Sequence, residues 1–221
     1  MVHPSRVGHA LVECDWWTPR NGTTGTQRRR CCGRPHLNRW VAAELADVPV
    51  GRALDLGAGE GRNALWLAAE DSPSRRSTSR RWPLIEVDSR RRPHHIPAER
   101  ITWIEADLID YHPAPLAFDV VIIAYLQLPE QPRRIVTARA VEAVAPGGVL
   151  LVIGHDLANL TYGTGGPQQA EVLFQPQDVV ADIRATDRPL RIVRADTVRR
   201  PVDGSDRDAI DALVRAQTLS S

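Results

Sequence analysis

The residues best suited to chemistry stand together at 55–61, where a carboxylate is followed by three alternating glycines: Asp-Leu-Gly-Ala-Gly-Glu-Gly. The apolar run 53–56 before them predicts a strand, and apolar residues at helical spacing in 63–69 predict a helix. A glycine turn between the two lets the backbone approach a ligand, because glycine has no Cβ and tolerates positive φ. The carboxylate of Asp55 would repel a pyrophosphate but suits a cationic amino-acid group.

The glycine spacing separates this turn from a dinucleotide site. A dinucleotide fingerprint has the pattern G-x-G-x-x-G, whereas Gly57, Ala58, Gly59 and Gly61 follow the pattern G-x-G-x-G. A nucleotide fold of another kind and a purely structural turn remain open alternatives.

Composition narrows the class of protein further. The 221-residue chain has a net charge of +1, and its basic side chains are all arginine; this balance argues against non-specific nucleic-acid binding. No apolar run approaches the roughly 20 residues that cross a bilayer, so we expect a cytoplasmic protein without a membrane partner. Cys14, Cys31 and Cys32 lack zinc-ligand or disulfide spacing, and His94 and His95 have no companion ligands, so no metal site is predicted.

Strand and helix patterns alternate from Asn38 onward. Helical spacing is found at 38–47 and 133–144, and apolar strand runs at 101–104, 118–125 and 149–153, with a turn at 145–148 and a closing strand pair at 190–195 and after Asp208. Asp119, at a strand start, is expected to be a structural cap. The alternation predicts an α/β fold with a doubly wound, mostly parallel sheet, helices on both faces and ligands at the carboxyl ends of the strands.

Several segments together resemble one enzyme family. Residues 55–61 resemble motif I of the class I S-adenosylmethionine-dependent methyltransferases, and 105–108 (Glu-Ala-Asp-Leu) is similar to the acidic segment that meets the adenine. Residues 124–129 resemble the segment after the fourth strand. Residues 154–160 and 163–167 resemble a narrower group, the small-molecule methyltransferases of the tellurite- and thiopurine-resistance type.

The resemblance covers residues from Asn38 to about Leu213 and implies a seven-stranded, Rossmann-like methyltransferase fold. It implies S-adenosylmethionine as cofactor and direct in-line displacement onto a small-molecule acceptor. The methyltransferase domain would span 38–221, and residues 1–37 would be a poorly ordered appendage or a substrate-side cap. The oligomeric state stays open.

The resemblance also implies roles for individual residues. The implied cofactor-binding residues are Asp55, Gly57, Ala58, Gly59, Gly61, Asp107, Leu108 and Ala124. Asp55 would contact the amino-acid portion of the cofactor, or else cap the turn. Asp107 would accept from the adenine amine, or else be a surface acid, and Leu108 would flank the ring. Tyr125 and His155 are candidates for the acceptor side, with core packing or a structural histidine as alternatives; no catalytic residue is assigned.

The Arg-rich segment 72–97 departs from the family pattern. The family has its second strand here, ending in an acid that binds the ribose, yet the segment has the composition of a solvated loop or linker. A shifted reading frame permits an apolar strand that ends in Asp near Ser77, which indicates a frame-damaged gene and a catalytically impaired protein as an alternative. Residues 84–88 could instead supply a substitute strand, with Asp88 as its acid.

Overall fold

A computed structural model describes residues 38–48, 51–59, 61–68, 84–87 and 101–219. The appendage predicted at 1–37 lies outside them. The described strands are β1 Ala53–Leu56, β2 Leu84–Val87, β3 Ile101–Ile104, β4 Phe118–Ala124, β5 Val144–His155, β6 Leu190–Arg200 and β7 Ala209–Thr218. The described helices are α1 Arg39–Glu44, α2 Arg62–Ala68, α3 Glu130–Ala143, α4 Asn159–Tyr162 and α5 Pro176–Arg184, with a 3-10 turn at Ala170–Val172.

All the described strands join one sheet in the order β3-β2-β1-β4-β5-β7-β6. Strands β1 to β5 run parallel, and β7 pairs antiparallel with both β5 and β6. The chain order reverses between the neighbours β1 and β4. In open α/β sheets, ligands bind in the crevice outside the carboxyl ends of the strands at such a reversal. The segments that follow β1 and β4 therefore flank the expected binding crevice.

Helices cover both faces of this sheet. On one face, Val136 of α3 and Ile183 of α5 pack into a core with alternate residues of β1, β4 and β5. On the other face, Val41 of α1 and Leu67 of α2 pack against the intervening residues of the same strands. All four side chains are buried. The predicted doubly wound α/β class is therefore confirmed.

Several element boundaries differ from the sequence-based expectation, and two of them have a clear physical reason. The turn predicted at 145–148 lies inside β5, because Phe118 pairs with Val144 and Val120 next pairs with Val149, which leaves the intervening residues as a bulge. The helix predicted at 38–47 is shorter, Arg39–Glu44, and the Asn38 side chain caps it by accepting from the backbone N–H of Trp40 at 2.9 Å.

A strand is present within the Arg-rich segment. Residues Leu84–Val87 form β2, which lies between β1 and β3 with Leu56 opposite Val87. The position matches the substitute strand considered for 84–88, and it corrects the interpretation of the whole segment as a solvated loop. Asp88 and the rest of 72–97 lie outside the described residues.

Candidate functional site

The turn after β1 has a backbone that favours glycine at three positions. Gly57, Gly59 and Gly61 have φ of +72°, +57° and +76°, values that side-chain-bearing residues rarely adopt. The Gly61 N–H donates to the Ala58 carbonyl at 2.9 Å and closes the turn. A Cβ on Gly57 would stand 3.0 Å from Leu126, whereas one on Gly59 would meet no atom within 4 Å. The turn thus packs tightly against the segment after β4 and leaves open space at Gly59.

Asp55 is a fully buried carboxylate at the carboxyl end of β1, two residues before the first glycine. Burial raises its pKa to about 7, partly offset by the Asn63 side chain and the Ala64 N–H. Neither carboxylate oxygen, however, has a hydrogen-bond partner of regular geometry in the described part of the chain, and the buried Asn63 Oδ1 has none either. Unsatisfied buried polar groups are costly. Asp55 therefore fits a site whose missing partner is a ligand with cationic or hydrogen-bond-donating groups.

Asp107 lies in an exposed turn after β3. Its Oδ1 accepts the Ile109 N–H at 2.9 Å, and its backbone carbonyl accepts from Asp110 and Tyr111. The side chain thus has the turn-capping role that aspartate commonly takes, and this geometry leaves Oδ2 for a ligand. Leu108 is half-buried and packs on the core beside α3. The positions are compatible with both predicted roles, the adenine contact of Asp107 and the ring contact of Leu108.

Arg139, which the sequence analysis missed, holds this turn in place. Its guanidinium on α3 donates to the carbonyl oxygens of Leu108, Ile109 and Tyr111, with distances of 3.1 Å to the first and the last. A charged donor shared by three carbonyls fixes the turn against the helix more firmly than neutral hydrogen bonds would. No sequence signal singled it out, because Arg133, Arg134 and Arg139 all belong to the same helical pattern.

We expect the variant Arg139→Met to loosen the 107–111 turn, because methionine keeps much of the apolar stem but donates no hydrogen bonds. Hydrogen exchange of these amides should accelerate, and affinity for an adenosine-containing ligand should fall about tenfold, since such charged bonds contribute about 1.5–3 kcal/mol. Arg134→Met, an exposed change on the same helix, is the control. Equal effects of the two variants on exchange and affinity would contradict this role.

The carboxyl end of β4 is strained at Tyr125. Ala124, the half-buried last residue of β4, precedes Tyr125, whose φ is +56°. A non-glycine residue in this region costs about 1–3 kcal/mol and persists only when its surroundings impose it. Two hydrogen bonds do so: the Tyr125 N–H donates to the Ile153 carbonyl at 2.7 Å, and its hydroxyl donates to Asp211 Oδ2 at 2.7 Å. The strain aims the Tyr125 ring toward β5 and β7.

Four side chains from four parts of the chain meet at this edge of the sheet, and we call them the Asp211 cluster: Tyr125, His155, Arg200 and Asp211. Arg200 Nε donates to Asp211 Oδ2 at 3.1 Å, and His155 Nδ1 is 3.3 Å from Asp211 Oδ1. The last contact has ion-pair distance without regular hydrogen-bond geometry. The Tyr125 and His155 rings meet edge to face with centroids 5.0 Å apart.

The charges of the Asp211 cluster favour an ionised carboxylate. Burial by itself would raise the pKa of Asp211, but the contacts with His155 and Tyr125 and the charge of Arg200 lower it overall. Burial, followed by the nearby Asp211 carboxylate, raises the pKa of the Tyr125 phenol. The cluster therefore holds a buried negative charge, with neutral tyrosine as donor and arginine as counter-ion.

Sequence reasoning found only half of this cluster. Tyr125 and His155 were expected on the acceptor side, and the structure brings them together. Arg200 and Asp211 were missed, although an aspartate inside the apolar run 209–214 was a usable signal. Asp119, by contrast, is confirmed as a structural cap, since its Oδ2 accepts the Arg52 N–H at 2.6 Å.

The segment 124–127 joins the glycine turn to the Asp211 cluster. Leu126 contacts the glycine turn at Gly57. The buried Gln127 accepts the His155 N–H at 2.9 Å and donates to the Val172 carbonyl at 2.9 Å. The segment 124–127 thus contacts both the glycine turn and the Asp211 cluster. These two parts of the candidate site therefore lie side by side, near the point where the strand order reverses.

The loop after β5 packs over His155. Asn159 organises it, because its Oδ1 accepts the Ile210 N–H at 2.7 Å and its Nδ2 donates to the Gly165 carbonyl at 2.8 Å. Gly166 has φ of +75°, and a Cβ there would lie 2.8 Å from the His155 ring. The glycines of 163–167 therefore let the loop lie directly on the histidine.

Comparisons with known proteins identify the fold. No protein-family model and no curated protein match the chain. A solved S-adenosylmethionine-dependent methyltransferase from Mesorhizobium loti is similar with a TM-score of 0.57 at 18% identity, covering 80% of this chain and 95% of that chain. N-methyltransferase NodS from Bradyrhizobium japonicum WM9, in complex with S-adenosyl-L-homocysteine, has a TM-score of 0.52 at 18% identity, covering 80% and 83%.

The cyclase SpnF is also similar, with a TM-score of 0.55 at 14% identity, covering 82% of this chain and 79% of that chain. At such identities the likeness shows the fold: a Rossmann-like α/β fold of the kind found in these methyltransferases. Because one fold hosts several chemistries, the reaction has to be argued from the site.

Two further findings concern only the described residues. Their helices are too short or too polar to cross a bilayer. No three of their histidine, cysteine, aspartate or glutamate side chains gather as ligands for a metal ion.

Proposed function

We propose that this chain is an S-adenosylmethionine-dependent methyltransferase that acts on a small-molecule acceptor by direct in-line displacement. The observation that carries the proposal is Asp55, a fully buried carboxylate with no regular hydrogen-bond partner in the described residues, two positions before a turn of positive-φ glycines. The ammonium group of the cofactor would supply the missing partner. A pyrophosphate at the same place would add negative charge beside a buried acid.

Each residue around the glycine turn would bind a different part of the cofactor. Asp55 would hold the amino-acid portion of the cofactor, and the glycines would let the backbone approach it, with open space at Gly59. Asp107 Oδ2 would accept from the adenine amine, and Leu108 would cover the ring. When bound, the cofactor supplies a methyl group on a sulfonium, and the protein mainly positions the acceptor and excludes water.

The acceptor side would be formed by Tyr125 and His155, together with the loop 163–167, and Ala124 would contact the cofactor. The segments that resemble the tellurite- and thiopurine-resistance methyltransferases, 154–160 and 163–167, are the ones that surround His155. We therefore propose that a small-molecule acceptor binds at this place, beside His155. The seven-stranded sheet, with β7 antiparallel to both of its neighbours, is in line with this fold family.

Two rival functions differ from the proposal in what they bind. A nucleotide-binding or oxidoreductase domain would prefer a dinucleotide, which the glycine spacing and Asp55 both oppose. A catalytically impaired protein from a frame-damaged gene would keep the fold but bind the cofactor weakly or not at all. The second rival is favoured by the Arg-rich segment 72–97, where the family has its ribose-binding acid.

Calorimetric titration separates the three. We expect S-adenosylmethionine and S-adenosylhomocysteine to bind with Kd of about 1–100 μM, the usual range for enzyme ligands, and NAD to bind at least 100-fold more weakly. Preference for NAD would favour the oxidoreductase, and no measurable binding of any of the three would favour the impaired protein. Transfer of a labelled methyl group to a small acceptor would then establish the reaction.

A further inference from the structure

We propose that His155 is the general base of this site, positioned by Asp211, so that the acceptor is one whose nucleophilic oxygen or nitrogen carries a proton. The inference rests on the proposed function, and it narrows the acceptor class. A soft acceptor such as a thiolate, selenide or telluride has no proton to lose and needs no base.

The position of His155 suits this role. It is the last residue of β5, and its backbone N–H is held by Gln127 Oε1 at 2.9 Å. The segment that holds it, 124–127, also contacts the glycine turn through Leu126. The imidazole is thus anchored beside the expected cofactor crevice, about 10% exposed, where an acceptor would meet the methyl group.

The two ring nitrogens of His155 have different surroundings. Nδ1 is fully buried and faces Asp211 Oδ1 at 3.3 Å. Nε2, on the far side of the ring, has no hydrogen-bond partner within 101–219 or the other described residues. An imidazole with its Nδ1 proton directed at a carboxylate presents Nε2 as the proton acceptor.

The other partners of Asp211 bind one of its carboxylate oxygens and leave the second oxygen facing His155. Tyr125 and Arg200 both donate to Oδ2, which leaves Oδ1 directed at the histidine. Asp156, next to His155 in the chain, is occupied elsewhere, since its oxygens accept from the Ala158 N–H and the Thr197 hydroxyl. The charged and titratable groups around the imidazole are therefore those of the Asp211 cluster.

The proton-transfer step balances without any other reactant. The acceptor O–H or N–H bond breaks as its oxygen or nitrogen bonds to the methyl carbon. The proton passes to His155 Nε2, and the electron pair of the broken carbon–sulfur bond stays on sulfur. The imidazolium is stabilised by Asp211 and later releases the proton to water.

Gly166 gives independent support from packing. Its backbone lies on the His155 ring so closely that a Cβ would stand 2.9 Å from Nε2. The loop 163–167 thus excludes water from one face of the ring, while Asn159 holds the loop.

The test compares acceptors of one shape that differ in the nucleophile: 4-methylphenol, 4-methylaniline and 4-methylbenzenethiol, with benzyl alcohol and benzylamine as further acceptors. With labelled S-adenosylmethionine, His155→Gln should lower kcat/KM for the oxygen or nitrogen acceptor by about 100-fold or more, the usual contribution of a general base. The acid limb of the pH–rate profile should disappear with it. The loss with the thiol should be at least about tenfold smaller than the loss with the oxygen or nitrogen acceptor, because the thiol ionises by itself, and the exposed His112→Gln is the control.

Asp211→Asn should reproduce part of the loss of kcat/KM and shift the acid limb of the pH–rate profile to lower pH. A second measurement does not need that variant to be active: nitrogen NMR of the wild-type imidazole should show Nδ1 protonated and Nε2 unprotonated in the neutral ring. The opposite tautomer would overturn the role of His155, and so would unchanged oxygen and nitrogen rates in His155→Gln.

Turnover with the thiol alone, or no turnover with any oxygen or nitrogen acceptor while the cofactor still binds, would overturn the acceptor class. Loss of cofactor binding in the wild-type chain would instead remove the proposed function on which the inference rests. Calorimetry on the same preparation tells these two failures apart.

Discussion

Asp55→Asn should weaken S-adenosylmethionine binding about 10- to 100-fold at pH 8. The asparagine keeps the shape of the buried side chain but removes the charge that would pair with the ligand ammonium, and a hydrogen bond between charged groups contributes about 1.5–3 kcal/mol. Calorimetric titration measures the change. Asp119→Asn is the control, because Asp119, near the start of β4, caps the backbone of Arg52 just before β1. The affinity of this variant should match that of the wild type.

The same variant should remove a pH dependence. Because burial raises the Asp55 pKa to about 7, the free protein carries a neutral carboxyl below that pH, and binding an ammonium there must release a proton. Affinity of the wild type should therefore fall about tenfold for each pH unit below 7, since one pKa unit corresponds to about 1.4 kcal/mol. In Asp55→Asn the affinity should be flat between pH 5.5 and 8. A flat wild-type profile would contradict the assignment.

Stability of the ligand-free protein should change with pH in the opposite sense. The Asp55 carboxyl ionises near pH 3.8 when unfolded and near 7 when folded, so between these values the folded state binds more protons. Its contribution to the free energy of unfolding is therefore present below pH 4 and is lost as the pH rises to about 7. Thermal denaturation of wild type and Asp55→Asn across this range measures the difference.

Gly57→Val should abolish detectable S-adenosylmethionine binding, with a loss of at least about 100-fold. Gly57 has φ of +72°, and its added Cβ would stand 3.0 Å from Leu126. The side chain must either push the segment after β4 away or flip the turn, and both distort the crevice. A left-handed non-glycine residue costs about 1–3 kcal/mol, so the sheet should stay folded by circular dichroism.

Gly204→Val separates this effect from a general loss of stability. Gly204 has a similar φ of +76° in the turn between β6 and β7, and a Cβ there would meet no atom within 4 Å. The backbone strain is matched, but the position is away from the glycine turn. Its affinity should stay within about twofold of the wild type. An equal loss of binding in both variants would show that stability, rather than the turn, controls the affinity.

Local patterns predicted the parts of the fold that depend on local physics. Strands β1 and β3 have the predicted bounds, because each is an apolar run closed by polar or glycine residues. The helix α5, Pro176–Arg184, was missed although it is amphipathic, because it is only nine residues long and its start depends on a cap in which Asp178 accepts the Gln175 N–H. The strand β2 stayed ambiguous because arginine-rich sequence surrounds it.

In the candidate site, too, the sequence predicted the residues that are close together along the chain and missed those that only the fold brings together. Asp55 and the glycines are neighbours in sequence, so their chemistry is visible there. The Asp211 cluster is not, because Tyr125 and Asp211 are 86 residues apart and meet only when β7 inserts beside β5. Arg139 likewise acts on a turn about 30 residues away. Such pairings depend on the tertiary register, which a single sequence does not contain.

The most direct measurement is a crystal structure of the chain with S-adenosylhomocysteine, whose ammonium group is the same as that of the methyl donor. The proposed function predicts this ammonium within hydrogen-bond distance of Asp55, with the ligand lying along the glycine turn toward Tyr125. A ligand bound elsewhere would contradict the proposed function. So would the absence of ligand at the glycine turn when S-adenosylhomocysteine is present at a saturating concentration.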